Sequence, residues 1–226
     1  MNDDSSESSF VGFEVTGTYS DSKGAESVVF RFVPIERRGP LEPPRFEIRA
    51  VIRGFEWRGG DFDCLQPSEG YSALQESFER GDISAGALTW SLPIHLRKGG
   101  ALVESIVEFR LDQANGRHIF DLRVAIGGET FAVRSDDGFE HGFLQMEKLM
   151  SSSELGISAC FTCLYSDYSP MGNGFSGMQC HRNAKEHYLS VQSKAEYWSV
   201  PVTETVFETH RCAEWTERIP GTGYRG

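Results

Sequence analysis

Between residues 10 and 53 apolar and polar side chains alternate with the period of two that marks strands with one wet face. In "FEVTGTY" Phe13, Val15 and Tyr19 fall on one side and Glu14, Thr16 and Thr18 on the other. A turn at "SDSKGAES" leads into "VVFRFVPI". After the break "RRGPLEPP", the stretch "RFEIRAVIR" sets Phe46, Ile48, Ala50 and Ile52 against Glu47, Arg49 and Arg53. Four further stretches behave alike: "LTWSLPIHL" (Trp90, Leu92, Ile94, Leu96), "LVESIVEFRL" (Val103, Val107, Phe109, Leu111), "HIFDLRVAI" (Phe120, Leu122, Val124, Ile126) and "ETFAVRS" (Phe131, Val133). The breaks "KGG", "DQANGR" and "GGE" separate them at hairpin distances. About seven short alternating strands predict a mainly β fold, an antiparallel β-sandwich or a strongly bent antiparallel sheet.

Two stretches change period. Tyr71, Leu74 and Phe78 are spaced as on one helical face, with Gly81 placed to end the helix. Phe139, Phe143, Met146 and Met150 recur at three- and four-residue steps in "DDGFEHGFLQMEKLM", with Asp136 or Asp137 available as N-cap. Beyond Ser153 cysteines and turn residues crowd together. The chain therefore divides into an acidic tail (1–9), a β-sandwich-like domain with an inserted helix (10–153) and a Cys-rich subdomain (154–226).

Charge narrows the partners. With 33 acidic against 22 basic side chains the net charge is −11, a field that repels a polyanion, and "ERRGP" and "HLRKGG" are too short to form a basic stripe. Nucleic acid is not an expected partner. No apolar run approaches the length needed to cross a bilayer. The opening "MNDDSSESS" has neither the basic n-region nor the apolar h-region of a secretory signal, so the expectation is a cytoplasmic protein with reduced thiols.

In that setting the cysteines point to metal before disulfide. Cys160 and Cys163 have the two-residue spacing of a metal knuckle, Cys180 follows after 16 intervening residues, and Cys212 completes a set of four. Four sulfurs favour Zn²⁺ in a closed, structural site, since catalytic zinc keeps one position for water. His181, His187 or His210 could replace one sulfur. A thioredoxin-like dithiol needs a helix N-terminus after the first cysteine, and "LYSDYSPMGNG" disfavours a long helix there. That loop has two readings. Asp167, Pro170, Gly172 and Gly174 supply ordinary turn chemistry; alternatively Tyr165, Asp167, Tyr168 and Asn173 are displayed as a binding surface on a metal-stiffened base.

The combination of "CFTC", "YSDYSPMGNG", "GMQCHRNAKEHYL" and "ETHRCAEWTERIPGTGYRG" over residues 156–226 resembles an uncharacterised family of bacterial hypothetical proteins. The resemblance implies a bacterial cytosolic protein, strengthens Cys160, Cys163, Cys180 and Cys212 as a set, and transfers no catalytic role.

Other chemistry is sparse. Cys64 beside Asp63 is a candidate nucleophile if His95, His118 or His141 reaches it, though a lone cysteine is more often a small buried hydrophobe. Asp61, Asp63 and Glu69 lack the full calcium-loop pattern. The ending "GTGYRG" reads as a frayed tail, with docking through Tyr224 and Arg225 as the alternative. The sequence thus favours a non-catalytic binding or accessory protein with structural zinc and a protein partner. An enzyme with its site between the β domain and the Cys-rich subdomain is the alternative, and an immunity-type inhibitor a further one.

Overall fold

The computed structural model of the chain describes residues 12–36, 45–68, 85–114, 117–170 and 174–224. The acidic tail, the helix expected over Tyr71–Phe78, Glu69, Asn173 and Arg225 lie outside the described residues.

All seven expected strands form: β1 (Phe13–Asp21), β2 (Gly24–Ile35), β3 (Arg45–Ile52), β6 (Ala85–Lys98), β7 (Ala101–Ala114), β8 (Arg117–Ile126) and β9 (Glu129–Ser135). Three short strands join them, β4 (Phe55–Gly59), β5 (Gln66–Pro67) and β10 (Leu155–Ile157), so the count of about seven is corrected to ten, in one antiparallel sheet. Its order is β5-β4-β3-β2-β1-β6-β7-β8-β9, with β10 added to β6. Hairpin connections make nearly every neighbour in sequence a neighbour in space. The β3–β4 hairpin turns on Arg53 and Gly54, both at positive φ, the geometry that suits a two-residue loop. An Arg-Gly pair announces it less loudly than Asn-Gly, which is why β4 escapes the sequence pattern.

Alternation places the apolar residues as expected. Val15, Tyr19, Phe30, Ile48, Trp90, Ile94, Phe109 and Leu122 are all buried on one face of the sheet. α1 (Gly138–Ser151) covers part of that face through Phe139, Phe143, Met146 and Met150, the side chains its periodicity singles out. Asp137 occupies the N-cap position, but its side chain makes no capping bond. No helix among the described residues is long and apolar enough to cross a membrane.

The C-terminal part is attached to the sheet at several levels. β10 pairs with the end of β6, Leu155 facing Lys98 and Ile157 facing Leu96. Further on, β11 (Ser166–Tyr168), β12 (Met178–Cys180) and β13 (Glu204–Val206) make a second, three-stranded antiparallel sheet. Phe161, Tyr168, Phe175, Met178 and Val206 pack into the same hydrophobic core as the large sheet; Phe175 is 5.6 Å from Trp90 and 5.1 Å from Phe109, ring to ring. Two short helices, α2 (Lys185–Leu189) and α3 (Lys194–Tyr197), enclose a smaller core of Tyr188, Val191, Tyr197 and Val200. Tyr224 packs on that core, 5.0 Å from the Tyr197 ring, where the sequence favoured a frayed tail.

Candidate functional site

Main-chain hydrogen bonds bring the four C-terminal cysteines into one neighbourhood. Cys160–Thr162 is a single tight turn, closed by the Cys163 N–H donating to the Cys160 carbonyl at 3.1 Å. The segment from Glu208 to Thr216 runs alongside it: the Cys160 N–H donates to the His210 carbonyl at 2.6 Å, and the Leu164 N–H to that of Thr216 at 2.8 Å. This pairing carries Cys212 to the knuckle. Cys180 arrives through β12, where it faces Ser166 of β11 on one side and Glu204 of β13 on the other. Trp215 locks the arrangement, its indole N–H donating to the Ala159 carbonyl at 2.8 Å.

All of the chain's cysteines are free thiols. Burial pushes the Cys160 thiol far above the ordinary thiol range, and Cys163, Cys180 and Cys212 each push it further. Only groups within electrostatic range of one another do this. Burial also raises Cys180, against the opposing pull of Arg182, whose Nη1 lies 3.6 Å from its sulfur. A second cation, Lys185, ion-pairs with Glu214 at 2.6 Å within electrostatic range of Cys212. Among the described residues no three His, Cys, Asp or Glu side chains stand in a ready-made metal-coordinating arrangement; the thiols share a neighbourhood without meeting at one point. As a donor set, four soft sulfurs beside two cations have the chemistry that suits zinc.

The candidate histidine replacements fare differently. His181 is fully buried; its Nδ1–H donates to the Pro201 carbonyl at 3.0 Å and its Nε2 lies 2.9 Å from the Tyr197 hydroxyl. Both nitrogens already have protein partners within hydrogen-bond distance. Burial lowers its pKa to about 4. His187 is exposed beside Ser199, and His210 faces Glu204 at 4.0 Å.

Two of the loop residues proposed for display are turned inward. Asp167 and Tyr168 are buried. Asp167 accepts a hydrogen bond from the Tyr188 hydroxyl at 3.0 Å, and Tyr168 donates its own to Glu208 at 3.0 Å. Glu208, completely buried, also accepts from the Ser176 N–H at 2.9 Å. Burial and then the Asp167 charge push the Tyr188 hydroxyl up to about 12. Tyr165 remains partly exposed, with Lys185 5.0 Å from its ring centre. Turn chemistry and a buried polar network therefore account for Asp167 and Tyr168. Glu208 and Arg182 escape sequence reasoning; the available signal was their closeness to cysteines, in "FETHRC" and "CHR".

Cys64 is not an activated nucleophile. The residue is exposed rather than a buried hydrophobe; partial desolvation of its thiol, followed by the charges of Asp61 and Asp63, raises its pKa, and the thiol donates to the Asp61 carbonyl at 3.5 Å. His118 faces Asp63 at 3.9 Å and His141 faces Asp137 at 3.7 Å. Asp61 itself is buried, with burial and Asp63 holding its carboxyl well above the usual range.

No curated protein and no solved structure matches this chain. One family profile does, over residues 14–166, which takes in the large sheet, α1 and the knuckle cysteines but ends before Cys180 and Cys212. By that match, covering well over half of its length, the chain belongs to DUF6304, a family of unknown function.

Proposed function

We propose that the protein is a non-catalytic binding or accessory protein whose C-terminal module is clamped by a structural zinc ion on Cys160, Cys163, Cys180 and Cys212. The observation that carries the reading is the backbone pairing that draws three separate stretches of chain, with Cys163, Cys180 and Cys212, toward Cys160. That pairing already brings distant segments side by side. Zinc there would supply a cross-link and hold the sulfurs as thiolates. The raised thiols of Cys64, Cys160 and Cys180 support a non-catalytic role for the cysteines themselves, because the attacking species in thiol chemistry is the thiolate. The same stiffened module is suited to act through contacts with a protein partner.

Metal analysis of protein purified under reducing conditions tests this. About one zinc per chain is expected, and Cys212→Ala should lose the metal and much of the thermal stability. A zinc-free protein with an unaltered melting temperature, or a Cys212→Ala variant with full metal content, would overturn the assignment.

A further inference from the structure

The ladder between β1 and β6 is incomplete. Pairing runs only from Ser20 opposite Ala87 to Gly17 opposite Trp90, while β10 takes up the same edge of β6 again at Leu96. Along Ser91–Ile94, between these stretches, no described strand lies on that side. The sheet splits there, and the segment from Glu204 to Arg211 packs across the opening. What results is a cavity of about 510 Å³ between the large sheet and the C-terminal module, within the range usual for small-molecule sites.

Its lining is mixed. Phe13, Val15, Leu92 and Phe207 are apolar, with Phe13 and Phe207 in edge-to-face contact at 4.8 Å. Ser158 ties two polar lining residues together: its N–H donates to the His95 carbonyl at 2.8 Å and its hydroxyl accepts from Arg211 Nε at 3.1 Å. The charges do not cancel. Of the two lining carboxylates, Glu14 is ion-paired with Arg31 and Glu204 with Arg182. Arg211, stacked 5.6 Å from the Trp215 ring centre, has no carboxylate partner among the described residues. An uncompensated guanidinium at the rim of an apolar cavity calls for a carboxylate at one end of a hydrocarbon body.

We infer that this cavity binds an amphipathic carboxylate, its apolar part between Phe13, Val15, Leu92 and Phe207 and its head group on Arg211. The inference stands apart from the metal assignment, since none of the proposed zinc ligands lines the cavity.

Calorimetric titration of the full-length protein, as purified, with decanoate, decanamide and decylammonium tests it. Decanoate should bind one to a chain, at least about tenfold more tightly than the amide, with the amine weakest; a tenfold loss corresponds to one lost charge-assisted hydrogen bond. Replacing decanoate with 2-naphthoate separates an aliphatic from an aromatic carboxylate as the preferred body. Arg211→Gln should reduce decanoate binding to the level of the amide, and Arg211→Lys should restore part of it, with near-ultraviolet circular dichroism confirming the fold. Equal binding of all three probes, or no binding of either carboxylate, would overturn the inference. The probe series on the unaltered protein decides the matter even if the Arg211 variants fold poorly.

Discussion

His181 shows how a single residue acquires its state from its surroundings. Its ring stacks on Tyr188 with centres 4.9 Å apart, and both its nitrogens are satisfied by groups that position a neutral imidazole. An unfolded chain would take up the proton near the ordinary value of 6.5, whereas the folded one resists until about pH 4. The unfolded state therefore binds more protons in between. Stability that is fully present above pH 6.5 is lost as the pH falls toward 4, by up to about 3 kcal/mol from this group. The imidazole carbon resonances of His181 should accordingly report a neutral ring at pH 5. A titration midpoint near 6.5 would mean that the ring is solvated and that its two hydrogen bonds do not persist. Its neighbour in sequence, Cys180, advertises a metal site; the burial that removes His181 from the ligand set is invisible until β12 and α3 are placed.

Among the elements, α1 was fully legible. Its apolar residues repeat at helical spacing over fourteen residues, and a periodic signal of that length survives any tertiary context. Gly142, in the middle, reads from sequence as a weakness in the helix. In the structure it is where the helix comes nearest the sheet: a Cβ there would stand 2.7 Å from Leu122 Cδ1 and 3.2 Å from Phe120 Cδ1, both in fully packed surroundings. Alanine would gain up to about 1 kcal/mol of helix propensity but force repacking that costs about 1–3 kcal/mol. Gly142→Ala is expected to lower the denaturation midpoint in urea without changing the slope. A clear rise would show that α1 has room to lift from the sheet. Strand faces were legible for the same reason as α1, since alternation is a local signal. β4, β5 and β10 were not, because two to five residues are too few to establish a period and their pairing depends on partners far away in the chain.

For the molecule as a whole, the common core matters most. Phe161, Tyr168, Phe175 and Met178, beyond the composition change at Ser153, share a core with Trp90, Phe109 and Phe143. The Phe143 and Phe161 rings are 4.9 Å apart, and Arg97 of β6 is ion-paired with Glu217. Such interleaving predicts that sheet and C-terminal module unfold together. Amide hydrogen exchange should give β12 and β6 similar opening free energies and the same dependence on denaturant. Release of residues 178–180 at a distinctly lower denaturant concentration would mean that the module is an independent unit.

By itself the sequence determined which side of each long strand meets the core and where α1 lies, because each of these is written in spacings of a few residues. Tertiary structure alone decided that the seven long strands share one sheet, that this sheet parts between β1 and β6, and that Asp167, Tyr168 and His181 face inward. The reason is physical: periodicity fixes the orientation of a side chain relative to its own backbone, whereas sheet membership, cavities and burial depend on which distant segments pack against it.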